Sequence, residues 1–267
     1  MINFKDCTAL ITGASSGIGT ELARQLAPQA KCLLLVARRT DRLEELRVEL
    51  GRPGLAIHCF TTDLADDEAT GELLVRIEAT GERVTFLINN AGLGDHGLFD
   101  QSNWAKVKAM IDVNITALTR LTYAFVPQLV AARQGAILNV SSIASLMPMP
   151  KMAVYGATKA YVTSFSEALR VELQDAGVTV TAVCPGPVDT EFSQVANRAD
   201  APPVGSGSSG KTGLLKVPLE QVVREALDAV ARDRARVIPG WKLNGIMTLA
   251  SSVPASLLRR MRSGVKR

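Results

Sequence analysis

Short runs rich in β-branched residues or leucine alternate along the chain with longer segments in which apolar residues recur every three or four positions. The runs are CTALIT (7–12), KCLLLVA (31–37), LAIHCF (55–60), VTFLIN (84–89), GAILNVS (135–141), VTVTAVC (178–184) and ARVIP (235–239). Segments of helical period, IGTELARQLA, DRLEELRVEL and DDEATGELLVRIEA, follow the first three. A strand that is apolar on both faces has to be covered on both, and strands separated by crossover helices run parallel. The pattern therefore predicts an α/β fold, a doubly wound parallel sheet with helices on both faces. Two longer segments, SNWAKVKAMIDVNITALTRLTYAFVPQLVAAR (102–133) and AVYGATKAYVTSFSEALRVELQ (153–174), read as long helices with apolar residues on more than one face. Their outer faces either meet the sheet or pair with another subunit.

Length and composition narrow the reading. At 267 residues, 47% hydrophobic and 21% charged, the chain suits one domain, 1–267, with a large buried centre. Between 193 and 218 the composition turns to Pro, Gly, Ser and Lys, which predicts a connector or lid, and a basic amphipathic tail runs from 241 to 267. That tail fits either packing over a cleft or a neighbouring subunit, or contact with a membrane surface. The net charge of +4 is spread along the chain and aromatics make up only 4%, which argues against nucleic acid and for a small anionic ligand. Cys7, Cys32, Cys59 and Cys184 lack metal-ligand spacing and read as reduced thiols; no metal is expected. No apolar run reaches the length of a membrane span and no export signal is apparent, so the expected location is cytoplasmic.

The first strand runs into TGASSGIG, which carries Gly13, Gly17 and Gly19, and a helix follows. Glycines at such a turn admit a pyrophosphate against the backbone and aim the free N–H groups of the helix start at it. The spacing G-x-x-x-G-x-G departs from the general dinucleotide fingerprint, and a purely structural turn is the competing reading. The second strand ends in Arg38 and Arg39, where a dinucleotide presents its ribose. A guanidinium there suits a 2′-phosphate, unless both arginines simply pair with Asp41 or Glu44. Asp63, in TTDL, stands where an adenine amino group could be met, and NNAG (89–92) closes the fourth strand with small residues; both also fit ordinary capping.

Candidate chemistry follows the fifth strand. NVSS places Ser142 at the carboxyl edge of the sheet, and Tyr155 and Lys159 come next, four apart near the start of a helix. Positions four apart stack about 6 Å along the axis. An ammonium beside a phenol is expected to lower its pKa from about 10, making Tyr155 a proton donor or acceptor for a carbonyl or alcohol oxygen. Ser142 would hydrogen-bond that oxygen, and Lys159 has further donors for ribose hydroxyls.

Together TGASSGIG, NNAG, VN with Asn114, NVSS, YGATK and CPGPVDT (184–190) make the chain resemble the short-chain dehydrogenase/reductase family in its compact single-domain form, over roughly residues 5–190. The resemblance implies a seven-stranded Rossmann-type sheet of order 3-2-1-4-5-6-7. It also implies a catalytic tetrad of Asn114, Ser142, Tyr155 and Lys159, with Asn114 helping to hold a water that links Lys159 to solvent. The cofactor site it implies comprises Gly13, Ser15, Ser16, Gly17, Ile18 and Gly19 in the glycine turn, then Arg38 and Arg39, Asp63 and Leu64, and Asn90, Ala91 and Gly92. Tyr155 and Lys159 complete it with Pro185, Gly186, Val188 and Thr190 beside the nicotinamide. Arg38 favours NADP(H) over NAD(H), although Ser15 and Ser16 stand where many NADP-using relatives carry a basic residue.

The implied activity is hydride transfer between a nicotinamide and a carbonyl or secondary alcohol, by a homodimer or homotetramer. Leu93, Phe99, Met147, Met149, Met152, Phe192 and Trp241 are candidate walls of an apolar substrate pocket. A 3-oxoacyl thioester, a short hydroxy acid, a non-redox epimerase or dehydratase reaction, and a cofactor-sensing protein without turnover are the alternatives.

Overall fold

The computed structural model describes residues 3–196 and 216–251. Seven strands, β1 (Thr8–Thr12), β2 (Cys32–Ala37), β3 (Ala56–Thr61), β4 (Phe86–Asn89), β5 (Gly135–Val140), β6 (Val178–Val183) and β7 (Arg236–Val237), form one parallel sheet in the order β3-β2-β1-β4-β5-β6-β7. Every residue of β1, β2, β4, β5 and β6 is buried, whereas edge strand β3 buries only Phe60. Uniformly apolar runs thus mark the centre of the sheet, because only central strands lose water from both faces.

Helices α1 (Gly17–Leu26), α2 (Thr40–Leu50) and α8 (Leu219–Ala231) lie on one face, where Leu22, Leu26, Leu43, Val223 and Val230 meet Ile11, Leu33 and Leu35. On the other face α3 (Asp67–Glu78), α5 (Leu118–Ala132) and α6 (Ala153–Leu173) contribute Leu73, Leu121, Phe125 and Leu173 against Leu10, Leu34 and Leu87. Each such side chain contributes about 1.5–3 kcal/mol when fully buried. The order in which strands are added reverses between β1 and β4, and both parallel strands end at the same edge, the place where this architecture opens a crevice.

Three expectations change. The 102–133 segment is not one uniform helix: α4 (Trp104–Ile111) passes through a π-helical turn at Asp112–Ala117 before α5 begins. An extra residue in a turn re-aims the side chains around it, and here that residue set includes Asn114. The stretch expected as a connector begins as helix, since α7 spans Glu191–Ala196; positions 197–215 lie outside the described residues. Of the tail, α9 (Trp241–Ser251) packs Leu243 and Met247 onto Cys184 and Ile238, next to the end of β6. Its basic end, from 252, lies outside the described residues. Among the described residues no helix is long and apolar enough to cross a membrane.

Candidate active site

The glycine turn leaves β1 with Gly13 at φ +66°, a conformation costly for any residue with a Cβ. At Gly19 the constraint is contact: a Cβ would lie 2.2 Å from the Gly13 carbonyl oxygen. The turn is tied to β4 by side chains. Asn90 Nδ2 donates to the carbonyls of Thr12 (2.8 Å) and Gly13 (3.2 Å), and Thr12 Oγ1 accepts the N–H groups of Asn90 and Ala91, both at 3.0 Å. Ser16 precedes α1 but makes no side-chain cap, so the N–H groups opening this helix, with Ile18 among them, have no capping side chain. Ungated N–H groups, a glycine-lined surface and a position at the sheet's crevice fit a pyrophosphate.

The two arginines after β2 separate. Arg38 is exposed. Arg39 is engaged: it donates to Ser15 O at 3.1 Å and pairs with Glu191 at 2.8 Å, not with Asp41 or Glu44. Thr190 lies against Gly17, where a Cβ would come within 3.0 Å of Thr190 Cγ2, so the CPGPVDT segment reaches across to the glycine turn. Pro185 anchors that segment by accepting the Ile143 N–H at 3.0 Å, Gly186 backs onto Leu243 of α9, and Val188 is half-buried. Asp63 is exposed and its carboxylate caps its own turn at Ala65 N, 3.0 Å, while Leu64 is buried in the core.

Tyr155 and Lys159 lie one turn apart in α6, both buried, at 7% and 3% exposure. The Lys159 ammonium is 5.9 Å from the Tyr155 ring centroid and donates to Val140 O at 2.8 Å, the carbonyl that ends β5. Ser141, not flagged by the sequence, pins α6 to the strand by donating to Lys159 O at 2.9 Å and bonding Thr163 Oγ1 at 2.7 Å. Ser142 hydrogen-bonds the Tyr155 hydroxyl and caps the following turn at Ala144 N, 3.1 Å. Gly92 faces the pair: a Cβ there would lie 3.3 Å from Lys159 Nζ and 3.4 Å from Asn114 Oδ1. Asn114 grips Leu93 on both sides, accepting its N–H at 2.8 Å and donating to its carbonyl at 2.9 Å, and spends its second amide hydrogen on Thr158 Oγ1 at 3.0 Å.

The electrostatics differ from the simple expectation that the ammonium lowers the phenol. Burial is the larger effect and pushes Tyr155 up to about 12, with the Ser142 hydrogen bond pulling the other way. Burial also brings Lys159 down to about 8, which leaves it mostly protonated at neutral pH. Of the expected pocket walls, Leu93, Met149, Met152 and Phe192 gather around Tyr155, with the Phe192 ring centroid 5.7 Å from that of Tyr155. Met147 instead joins Cys184 and Leu243, and Phe99 and Trp241 are 64% and 79% exposed.

Sequence reasoning missed Glu191, Thr12 and Ser141, whose partners are distant in the chain or main-chain atoms. It also missed that Cys32, His58 and Glu82, which lack any recognisable metal spacing, come within 4.8 Å of one another near the amino end of β2. Their atom types suit zinc, but Glu82 already faces the Lys31 ammonium at 3.5 Å.

The comparisons agree with this geometry. The family model for short chain dehydrogenase matches residues 7–201. Sulfoacetaldehyde reductase 2 of Chromohalobacter salexigens is 39% identical over 196 residues, 72% of this chain and 76% of the relative. Serine 3-dehydrogenase of Agrobacterium fabrum is 37% identical over 189 residues, 70% of this chain and 74% of its own. A short-chain dehydrogenase from Sphingobium yanoikuyae, solved in complex with NADPH, superposes with a TM-score of 0.79 at 31% identity, covering 98% of both chains. With matching sequence over most of its length and the matching sheet order, the chain belongs to the short-chain dehydrogenase/reductase family of oxidoreductases.

Proposed function

We propose that the protein is an NADP(H)-dependent oxidoreductase that interconverts a small carbonyl compound and its alcohol, with Tyr155 as the acid–base group. The observation that carries this reading is the cluster beside the end of β5, in which the buried Tyr155 hydroxyl is bonded to the half-buried Ser142 and the buried Lys159 ammonium lies one turn away. The glycine turn, with Ser15, Ser16, Gly17, Ile18 and Gly19, would hold the pyrophosphate; Asn90, Ala91 and Gly92 line the crevice, and Pro185 to Thr190 close it. When bound, the nicotinamide supplies or accepts the hydride.

The residues divide the remaining work. At a pKa of about 12 Tyr155 is fully protonated at neutral pH, ready to give its proton to a carbonyl oxygen that gains negative charge. Ser142 donates a second hydrogen bond to that oxygen. Lys159 keeps two of its three hydrogens after bonding Val140, enough to hold ribose hydroxyls, and its positive charge stabilises the tyrosinate left behind. Asn114 ties Leu93 of the loop after β4 to Thr158, the neighbour of Lys159 in α6. A relay water on its side chain could use only the remaining lone pair of Oδ1.

Arg38, exposed and without an ion-pair partner among the described residues where Arg39 is engaged, would read the 2′-phosphate. The relatives' names, sulfoacetaldehyde reductase and serine 3-dehydrogenase, support a small polar substrate. Activity by a homodimer or homotetramer is part of the same proposal, supported by aromatic residues left on the outside of α5 and α6. The test is oxidation of NADPH and of NADH against a panel of aldehydes and ketones, for the wild type and for Arg38→Asp. NADPH should be preferred by the wild type, and the preference should fall at least tenfold in the variant, since a carboxylate repels the phosphate. Equal use of both cofactors by the wild type would remove the role of Arg38; no oxidation of either would end the oxidoreductase reading.

A further inference from the structure

Helix α9 is apolar on two opposite sides. Leu243 and Met247, one turn apart, are buried with Cys184 and Ile238 and fix the helix to the fold. With about 3.6 residues per turn, the side opposite them carries Trp241, Gly245 and Leu249, with Lys242 and Ile246 on its flank. Trp241 is 79% exposed, Leu249 74% and Ile246 49%, so this second side is covered by nothing in the fold. The Lys242 ammonium lies 5.4 Å from the Trp241 ring centroid, which brings a cation and an amphipathic ring together on the outside. Leu243 also closes on Gly186, so the helix lies beside the segment that flanks the crevice.

Charge says what such a side meets. From Trp241 to Arg267 the chain has no Asp or Glu, whereas Lys242, Arg259, Arg260, Arg262, Lys266 and Arg267 are basic. The last five belong to residues 252–267, outside the described residues, and follow α9 directly in the chain. A second copy docking by the same side would bring the same cations to the contact and be repelled. Nucleic acid would meet the cations but give isoleucine and leucine nothing to enter. An anionic lipid surface satisfies both features: its headgroups attract basic residues close to the membrane, and the boundary beneath them takes up tryptophan and aliphatic side chains.

We propose that α9 and the basic residues after it form a peripheral docking surface for anionic membranes, with Trp241, Ile246 and Leu249 in the headgroup boundary and the crevice held beside it. At 11 residues α9 is too short to cross a bilayer and would lie along its surface. The inference goes beyond the oxidoreductase reading and does not depend on it, since lipid binding is measured without cofactor or substrate.

The test exposes the full chain to vesicles of phosphatidylcholine alone and of phosphatidylcholine mixed with phosphatidylglycerol. The protein should pellet with the anionic vesicles and not with the neutral ones, and more weakly at high salt, which screens the attraction. Arg259→Gln, Arg260→Gln and Arg262→Gln together should weaken binding about 100-fold, at about fivefold for each charge. Leu249→Gln and Ile246→Gln should each weaken it about tenfold. Both should leave the urea midpoint unchanged, because these side chains are exposed. The chain has two tryptophans, so Trp104→Phe isolates Trp241, whose emission should move to the blue on anionic vesicles. Failure to pellet with anionic vesicles would overturn the proposal. So would pelleting that leaves the Trp241 emission unchanged, since charge alone would then hold the protein. A blue shift produced by raising the protein concentration without vesicles would overturn it in favour of a second copy.

Discussion

Tyr155 and Lys159 share a corner from which water is almost excluded, so each is pushed toward its neutral form, the phenol up to about 12 and the ammonium down to about 8. A buried ammonium with one carbonyl partner stays there at a cost in folding free energy, and that cost has a pH signature. Between about 8 and the ordinary lysine value of 10.5 the unfolded chain holds a proton that the folded chain has released. The contribution of Lys159 to stability therefore rises with pH across this window, and its full penalty applies below pH 8. Lys159→Met should be more stable than the wild type at pH 7, by urea midpoint, with the gap closing toward pH 10; above that Tyr155 ionises in the unfolded chain and acts with the opposite sign. A gap that does not change with pH would mean that Lys159 is not desolvated as described. At this scale the pairing of Tyr155 with Lys159 was legible because the spacing is local, one turn apart, and Ser142 follows a strand, whereas Asn114 came from the family resemblance alone. Glu191 was not, since its partner Arg39 lies far away in the chain and neither neighbourhood announces the other. The direction of the Tyr155 shift was missed for a related reason, because a sequence names the adjacent charge but not the depth of burial.

Between elements, the crevice is held open by side chains rather than by the strands alone. Thr12 and Asn90 lock the glycine turn to the end of β4, and Arg39 ties the same turn to the start of α7. That pair is exposed on both sides, so its contribution is small, about 0–1 kcal/mol, and it can yield to a ligand. On the outside, α5 and α6 meet through Thr119 and Tyr161, whose hydroxyls are 2.9 Å apart, and Tyr161 stacks on Phe165 at 5.7 Å. Tyr123 and Val171 on these helices are 81% and 74% exposed. Large apolar groups left exposed on adjoining helices favour contact with a second chain. Sedimentation equilibrium should therefore give the mass of two or four chains, with Tyr123→Lys shifting the distribution toward monomer; a wild-type monomer at micromolar concentration would contradict the assembly. The apolar outer faces of these helices were visible in the sequence pattern, while the π-helical turn at Asn114 was not, since one added residue leaves apolar periodicity almost intact.

Across the molecule, the sheet was readable strand by strand because its central strands are apolar on both faces, and its order followed from the family resemblance. The edge strands were less plain: β3 carries His58 and β7 has only two residues. What the pattern could not supply was the meeting of distant segments, such as α9 against the end of β6 or Thr190 against Gly17 of the glycine turn. The account stands on what Tyr155 does in the crevice. The most direct measurement is NADPH oxidation by Tyr155→Phe, alongside NADPH binding followed by its fluorescence. Removal of one hydroxyl should lower kcat by roughly 100- to 10,000-fold, the usual worth of a general acid, and leave NADPH affinity within a fewfold of the wild type. Turnover that survives the substitution undiminished would contradict the central claim.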